Sequence, residues 1–279
     1  MRQIRAGVSD IRQAEGVLKA GGLPVFSAGN WAMNAETAFD LRETAVPFPF
    51  GVMMNRPVSE SERDAFKDAV LLADRAGAEV IYFSDPALLR FADEALRRKC
   101  IYCPETLVTN SRDAAFWLNQ GIGGVSVSPL LTREETAEII HNVPHAEITI
   151  HGHMLLSVSR RRLLSAWRDH YGIEFEPEGN RNLVLRETTR QEDMPVYEND
   201  VSTMIFSDYI FESFDVIRDL QEAETAFVSG SFLSSEALIE AVRIYNSIIH
   251  GNDETAAVRA YRENNAGCCG GYYEQKTIL

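Results

Sequence analysis

Short apolar runs alternate with amphipathic helical patterns along most of the chain. Runs with the period of a strand, or fully apolar, fall at 4–8, 23–27, 48–53, 79–83, 101–103, 124–127, 147–150 and 225–228. They are bounded by Gly, Pro, Asn and Ser, the punctuation of buried strands. Between them the apolar period lengthens to that of a helix, notably after Asp10 and over 35–45, 87–98, 111–119 and 234–249. Start signals agree: Ser9 as an N-cap, Ser59 with Glu62 and Thr132 with Glu135 as capping boxes, and Pro86 in a first turn. Eight strands, each followed by helix, imply parallel pairing, right-handed crossovers and a closed (β/α)8 TIM-type barrel. The alternative is an open doubly wound sheet. A Gly-rich dinucleotide loop after the first strand would favour it, but the chain there reads Gly7-Val8-Ser9-Asp10.

The alternation stops between the seventh and eighth strands. Residues 172–207 are polar and β-like, and the whole excursion of roughly 70 residues exceeds an ordinary connection. It predicts a small β-rich insertion over the barrel mouth. The expected division is 1–156 for seven βα units, 157–210 for an arginine-rich helix and the insertion, 211–250 for the eighth strand and closing helix, and 251–279 for a polar helix and a Gly/Cys tail.

Charge changes the picture only locally. The net charge is −14, which gives no overall attraction to nucleic acid or anionic membrane. Residues 160–190, however, hold seven Arg against five acids, a local +2. No apolar run is long enough for a bilayer, no secretory leader is apparent, and four cysteines make no disulfide framework. A cytoplasmic protein without a membrane partner is expected.

Candidate chemistry gathers at the C-terminal ends of the strands, where a barrel keeps its site. Five of the six histidines lie between His141 and His170, around the end of the seventh strand. That strand is expected to break at His151-Gly152-His153 and lead into Arg160-Arg161-Arg162 on a helix. If it continued instead, His151 and His153 would point the same way and could ligate a metal, although no third ligand is apparent. Asp85 and Glu105 follow neighbouring strands and could form a carboxylate pair, or Asp85 could simply start its helix. Arg160 and Arg161 could hold an anionic group, or pair with acids of the insertion. Ser157 and Ser159 lack a nucleophile elbow. Cys100 and Cys103 have the spacing of a metal knuckle, yet an offset of three along a strand puts them on opposite faces. Cys268 and Cys269 sit in the tail, and their role is open.

The residues from Phe83 to Leu89 (FSDPALL) resemble peptidase family U32, the collagenase-like proteases, and especially its small members. So do Glu105-Thr106 with Thr109-Asn110, and His151-Gly152 followed by Ser159-Arg160-Arg161. Leu185-Arg186-Glu187, Pro195-Val196-Tyr197 and the tail from Gly270 to Thr277 complete the resemblance. It implies a (β/α)8 barrel, often acting beside a larger paralogue. The family name implies peptidase activity. Other members take part in oxygen-independent hydroxylation of RNA pyrimidines or ubiquinone precursors, some with prephenate and a cysteine-bound iron–sulfur cluster. The chain departs from that pattern where relatives commonly carry cysteine, with Leu155 and Arg162 in those places. It also has Ser128-Pro129 and Ser229-Gly230 at the ends of strands six and eight.

The expectation is therefore a partner subunit of a larger family paralogue in tRNA or other RNA uridine hydroxylation. His151, Glu105 and Asp85 are the candidate catalytic residues, and Arg161, Arg160, Asn110, His153 and Arg186 the candidate substrate-binding ones. No metal or cofactor is expected, and the ligand is tRNA or a small anionic metabolite. The alternatives are a peptidase and a scaffold without chemistry.

Overall fold

In a computed structural model of the chain, residues 1–33, 39–42, 45–189 and 191–275 are described. The helix expected over 35–45 falls largely outside them. Eight parallel strands close a ring: β1 (Gln3–Val8), β2 (Gly22–Ser27), β3 (Gly51–Met54), β4 (Val80–Phe83), β5 (Cys100–Tyr102), β6 (Gly124–Val127), β7 (Ala146–Ser159) and, after an excursion, β11 (Thr225–Val228), which pairs with both β7 and β1. This is the (β/α)8 barrel that the alternation implied.

Two apolar layers hold it. Side chains alternate along each strand, so Val80 and Tyr82 point inward with Val25, Met53 and Phe227, while Ile81 and Phe83 meet the helices. Helices α1 (Ile11–Lys19), α2 (Arg63–Arg75), α3 (Glu94–Arg97), α4 (Ser111–Leu118), α5 (Arg133–Asn142), α7 (Ser235–Ile249) and α8 (Thr255–Asn264) lie outside the ring. Both capping boxes form. The cap of α1 is Asp10, not Ser9, and its carboxylate accepts from Gln13 N at 2.7 Å.

One expected helix, over 87–98, is replaced by a 3-10 turn (Pro86–Arg90) and the short α3. Asp93 starts a new helix by accepting from Leu96 N at 2.9 Å. Arg97 reaches back to the carbonyls of Leu89 and Ala92, which satisfies backbone left open by the break. A further 3-10 turn (Ile217–Leu220) lies ahead of β11.

The insertion is a continuation of the barrel's own sheet. β7 does not break at His151. It runs 14 residues, and its distal half pairs antiparallel with β10 (Thr203–Glu212). Then β9 (Met194–Glu198) joins β10, and β8 (Val184–Leu185) joins β9. The tail strand β12 (Cys268–Cys269) runs parallel to β10, and Tyr273 beyond it packs on Phe211. Between β7 and β9 lies α6 (Leu163–Tyr171). Arg160, Arg161 and Arg162 precede this helix and are not part of it. Buried Glu198 acts as its N-cap from another strand, accepting from Leu164 N at 2.7 Å, Ser165 N at 3.1 Å and Thr203 Oγ1 at 2.9 Å. Arg160 with Glu62 and Asn30 with Asp200 tie the insertion to the loops after β3 and β2, so it covers the mouth.

Candidate ligand site at the barrel mouth

β7 shapes the mouth. Thr149 pairs with Phe227, but His151 pairs with the next residue, Val228, so one extra residue bulges out of β7. Gly152 permits the bulge with φ 113°, and a Cβ there would lie 2.4 Å from the Ser229 carbonyl oxygen. Two histidines that a regular strand would place on one face are thereby separated. His151 turns to the helix layer and His153 lines the barrel's inner cavity.

His151 is fully buried between α7 and α8. Tyr245 donates its hydroxyl hydrogen to Ile150 O at 2.8 Å, so His151 Nδ1 donates to that hydroxyl, at 3.3 Å. Nε2 then accepts from Tyr261 at 2.8 Å. Burial, then the neighbouring His153, push its pKa down to about 3, which leaves a neutral imidazole. In this arrangement it touches nothing that enters the mouth. His153 Nδ1 donates to Ser207 O at 2.7 Å; burial lowers its pKa too, and Nε2 is left as a bare acceptor.

Glu105 stands at the rim in the left-handed region, with φ 62°, an uncommon state for a residue with a side chain. Asn55 holds it, donating to Oε1 at 2.6 Å and to Cys103 O at 3.2 Å. Burial raises the carboxyl's pKa, and the Asn55 bond opposes the rise only in part. Asp85 is not paired with it. Its oxygens accept from Ala87 N and Val58 N, each at 2.8 Å, so it caps the 3-10 turn and pins the loop after β3. Asn110 similarly caps α4. Arg160 pairs with Glu62 at 2.9 Å and Arg186 with Asp193 at 2.6 Å. The Arg161 guanidinium has no such partner among the described residues and is exposed. The structure therefore brings Glu105 and His153 to one cavity and sets the other six candidates elsewhere.

Sequence reasoning missed the floor of that cavity. Glu147 Oε2 accepts from Arg5 Nη1 at 2.9 Å, Tyr82 OH at 2.8 Å and Thr225 Oγ1 at 2.9 Å, all inside the ring. The signal was present: Arg5 falls on the inward positions of β1, between Ile4 and Ala6, which face the helices. Its partner lies 142 residues away, and no local pattern connects them.

The sequence profile of peptidase family U32 matches residues 49–276. The chain belongs to peptidase family U32. Among solved structures, the U32 peptidase Mk0906 is similar at 12% identity and a TM-score of 0.48, over 83% of this chain and 93% of that one. Phosphoribosylanthranilate isomerases from Thermotoga maritima and Pyrococcus furiosus give TM-scores of 0.45 and 0.46 at 11% and 12% identity. They cover 90% and 88% of this chain and 100% of their own. No curated protein matches the sequence.

The four cysteines of this U32 member lie in two places, at β5 and on β12. Cys100 faces the helices and Cys103 the barrel interior, on opposite faces of β5. Burial pushes the Cys100 thiol up to about 12 and Cys103 well above its usual value. Cys268 and Cys269 lie on β12 beside β10. Leu155 borders the cavity, and Arg162 pairs with Glu178 at 2.6 Å. Among the described residues, no three His, Cys, Asp or Glu side chains are placed to hold one metal ion, and no helix is long and apolar enough to cross a membrane.

Proposed function

We propose that this U32 chain works in the cytoplasm as the binding partner of a larger family paralogue in RNA uridine hydroxylation. The observation that carries the reading is on α6. Leu163, Trp167 and Tyr171 recur every four residues and form one stripe, 47, 50 and 64% exposed. A helix in a folded domain ordinarily buries such a stripe, so this one fits a protein partner. Arg161, exposed beside the helix, supplies a charge for an RNA phosphate at the same end of the molecule. Removal of the gene is expected to abolish hydroxylated uridine in tRNA, and the tagged chain is expected to bring down a larger U32 protein. Unchanged tRNA nucleosides would overturn the proposal.

A second reading, peptide hydrolysis, is favoured by one observation: a strained, half-buried Glu105 whose carboxyl is harder to ionise than usual, at the mouth of the barrel. It predicts cleavage of a peptide library by the purified chain, lost in Glu105→Gln. Absence of cleavage by the wild-type chain would remove it.

A further inference from the structure

Three donors converge on Glu147 Oε2, but Oε1 has no hydrogen-bond partner among the described residues, and the residue is 1% exposed. Leaving such an acceptor buried and unpaired costs about 1–3 kcal/mol. Glu147 lines a cavity of about 30 Å3 that climbs past Thr149, Ser126 and Cys103 to Glu105 and His153 at the rim. Thr149, one pleat above Glu147, is only half-buried although it points into the barrel, so the cavity is reached from the mouth.

Beside the hydroxyls of Thr106, Ser126, Thr149 and Ser229, the lining is one-sided in charge. Glu147 Oε1, the Glu105 carboxyl and the bare His153 Nε2 are acceptors, and among the described residues neither Lys nor Arg borders the cavity. Arg5, below it, is already engaged by the other oxygen of Glu147. An anion entering here would find a carboxylate and no free cation. A group with several N–H donors and a positive charge would satisfy the orphan oxygen. The volume admits a head of one or two heavy atoms.

We propose that this cavity binds a small primary amine, with its ammonium head on Glu147 Oε1 and its remaining atoms directed toward Glu105 at the mouth. The site is independent of the partner-subunit reading, and either stands if the other falls.

Methylammonium is the probe, with tetramethylammonium (equal charge, no N–H) and sodium as controls at matched ionic strength. The thermal midpoint of the full chain should rise saturably with methylammonium and stay flat with both controls. Ser126→Leu and Thr149→Leu, which fill the cavity, should abolish that rise, and Glu105→Gln should weaken half-saturation several-fold. Equal responses to all three cations, or no response to methylammonium in the wild-type chain, would overturn the proposal. So would an undiminished rise in a folded cavity-filled variant. If neither leucine variant folds, magnetisation transfer to the methyl group of methylammonium decides on the wild-type chain. It must appear, and excess ammonium must displace it where excess tetramethylammonium does not.

Discussion

Tyr261 donates its hydroxyl hydrogen to Nε2 of His151 at 2.8 Å, and the bond joins α8 to the one histidine that the bulge in β7 turns outward. The imidazole is held neutral, with its pKa lowered from 6.5 to about 3. The unfolded chain takes up a proton there as the pH falls below 6.5, and the folded chain does not until about 3. The stability from neutral His151 is therefore complete above that upper value. It is lost through the window down to the lower one, at up to ~1.4 kcal/mol per pH unit. His153 shifts in the same direction and adds to the slope. His151→Gln should cost ~1–3 kcal/mol at pH ~8, by unmaking bonds to both tyrosines. It should also flatten the acid slope by about one proton. Urea unfolding at several pH values checks both, and parallel slopes would refute the assignment.

Two backbone positions at the mouth give opposite expectations for glycine. At Gly152, φ 113° and a Cβ 2.4 Å from Ser229 O make Gly152→Ala costly, by about 3 kcal/mol or more. At Glu105, φ 62° is a state in which glycine carries no penalty. Glu105→Gly and Glu105→Ala both lose the Asn55 hydrogen bond, so their difference isolates backbone strain. Glycine should be the more stable by ~1 kcal/mol. Denaturation midpoints at constant m-value measure each, and equal stability of the two Glu105 variants would show no strain there.

Glu198 on β9 fixes the insertion by holding the start of α6. Glu198 gives α6 the cap that Arg162, in the N-cap position, lacks. Glu198→Ala leaves the N–H groups of Leu164 and Ser165 without their acceptor, at about 2–3 kcal/mol, while the Thr203 hydroxyl keeps the Arg161 carbonyl at 2.8 Å. Glu198→Gln, which still accepts, should cost less. Hydrogen exchange should speed up across 163–171 in the alanine variant while β1–β6 stay protected. A uniform loss of protection would mean that the insertion and the barrel unfold as one unit.

Barrel topology was legible in the sequence because it depends on local period: the strands at 124–127 and 225–228 are found where the alternation placed them. The site was less legible, for a physical reason in each case. Asp85 and Asn110 carry site-type side chains at site-type positions, yet their oxygens go to backbone N–H groups, of the following turn in both cases and of the loop after β3 as well for Asp85. The turn of His151 away from His153 rests on a single bulged residue, which a pattern of period two does not register. The Arg5–Glu147 pair and the cap from Glu198 depend on partners brought together only by ring closure and by the return of β9.

The apolar stripe on α6 separates folding from association. Trp167 is 50% exposed and touches Tyr171 and Phe175, ring to ring at 5.9 and 5.8 Å, within the insertion. A half-exposed ring contributes little to the core, so Trp167→Ala should shift stability by no more than ~1 kcal/mol. An aromatic anchor at the centre of an interface, by contrast, is commonly worth ~2 kcal/mol or more, a loss of about thirtyfold in affinity. If the larger paralogue seats on this stripe, Trp167→Ala keeps the thermal midpoint, loses the co-purified partner and loses the modified uridine. Val158, also exposed, lies on β7 outside the helix and serves as a comparison: Val158→Ala should leave the partner bound. Retention of the partner by Trp167→Ala with Tyr171→Ala would place the interface elsewhere on the molecule.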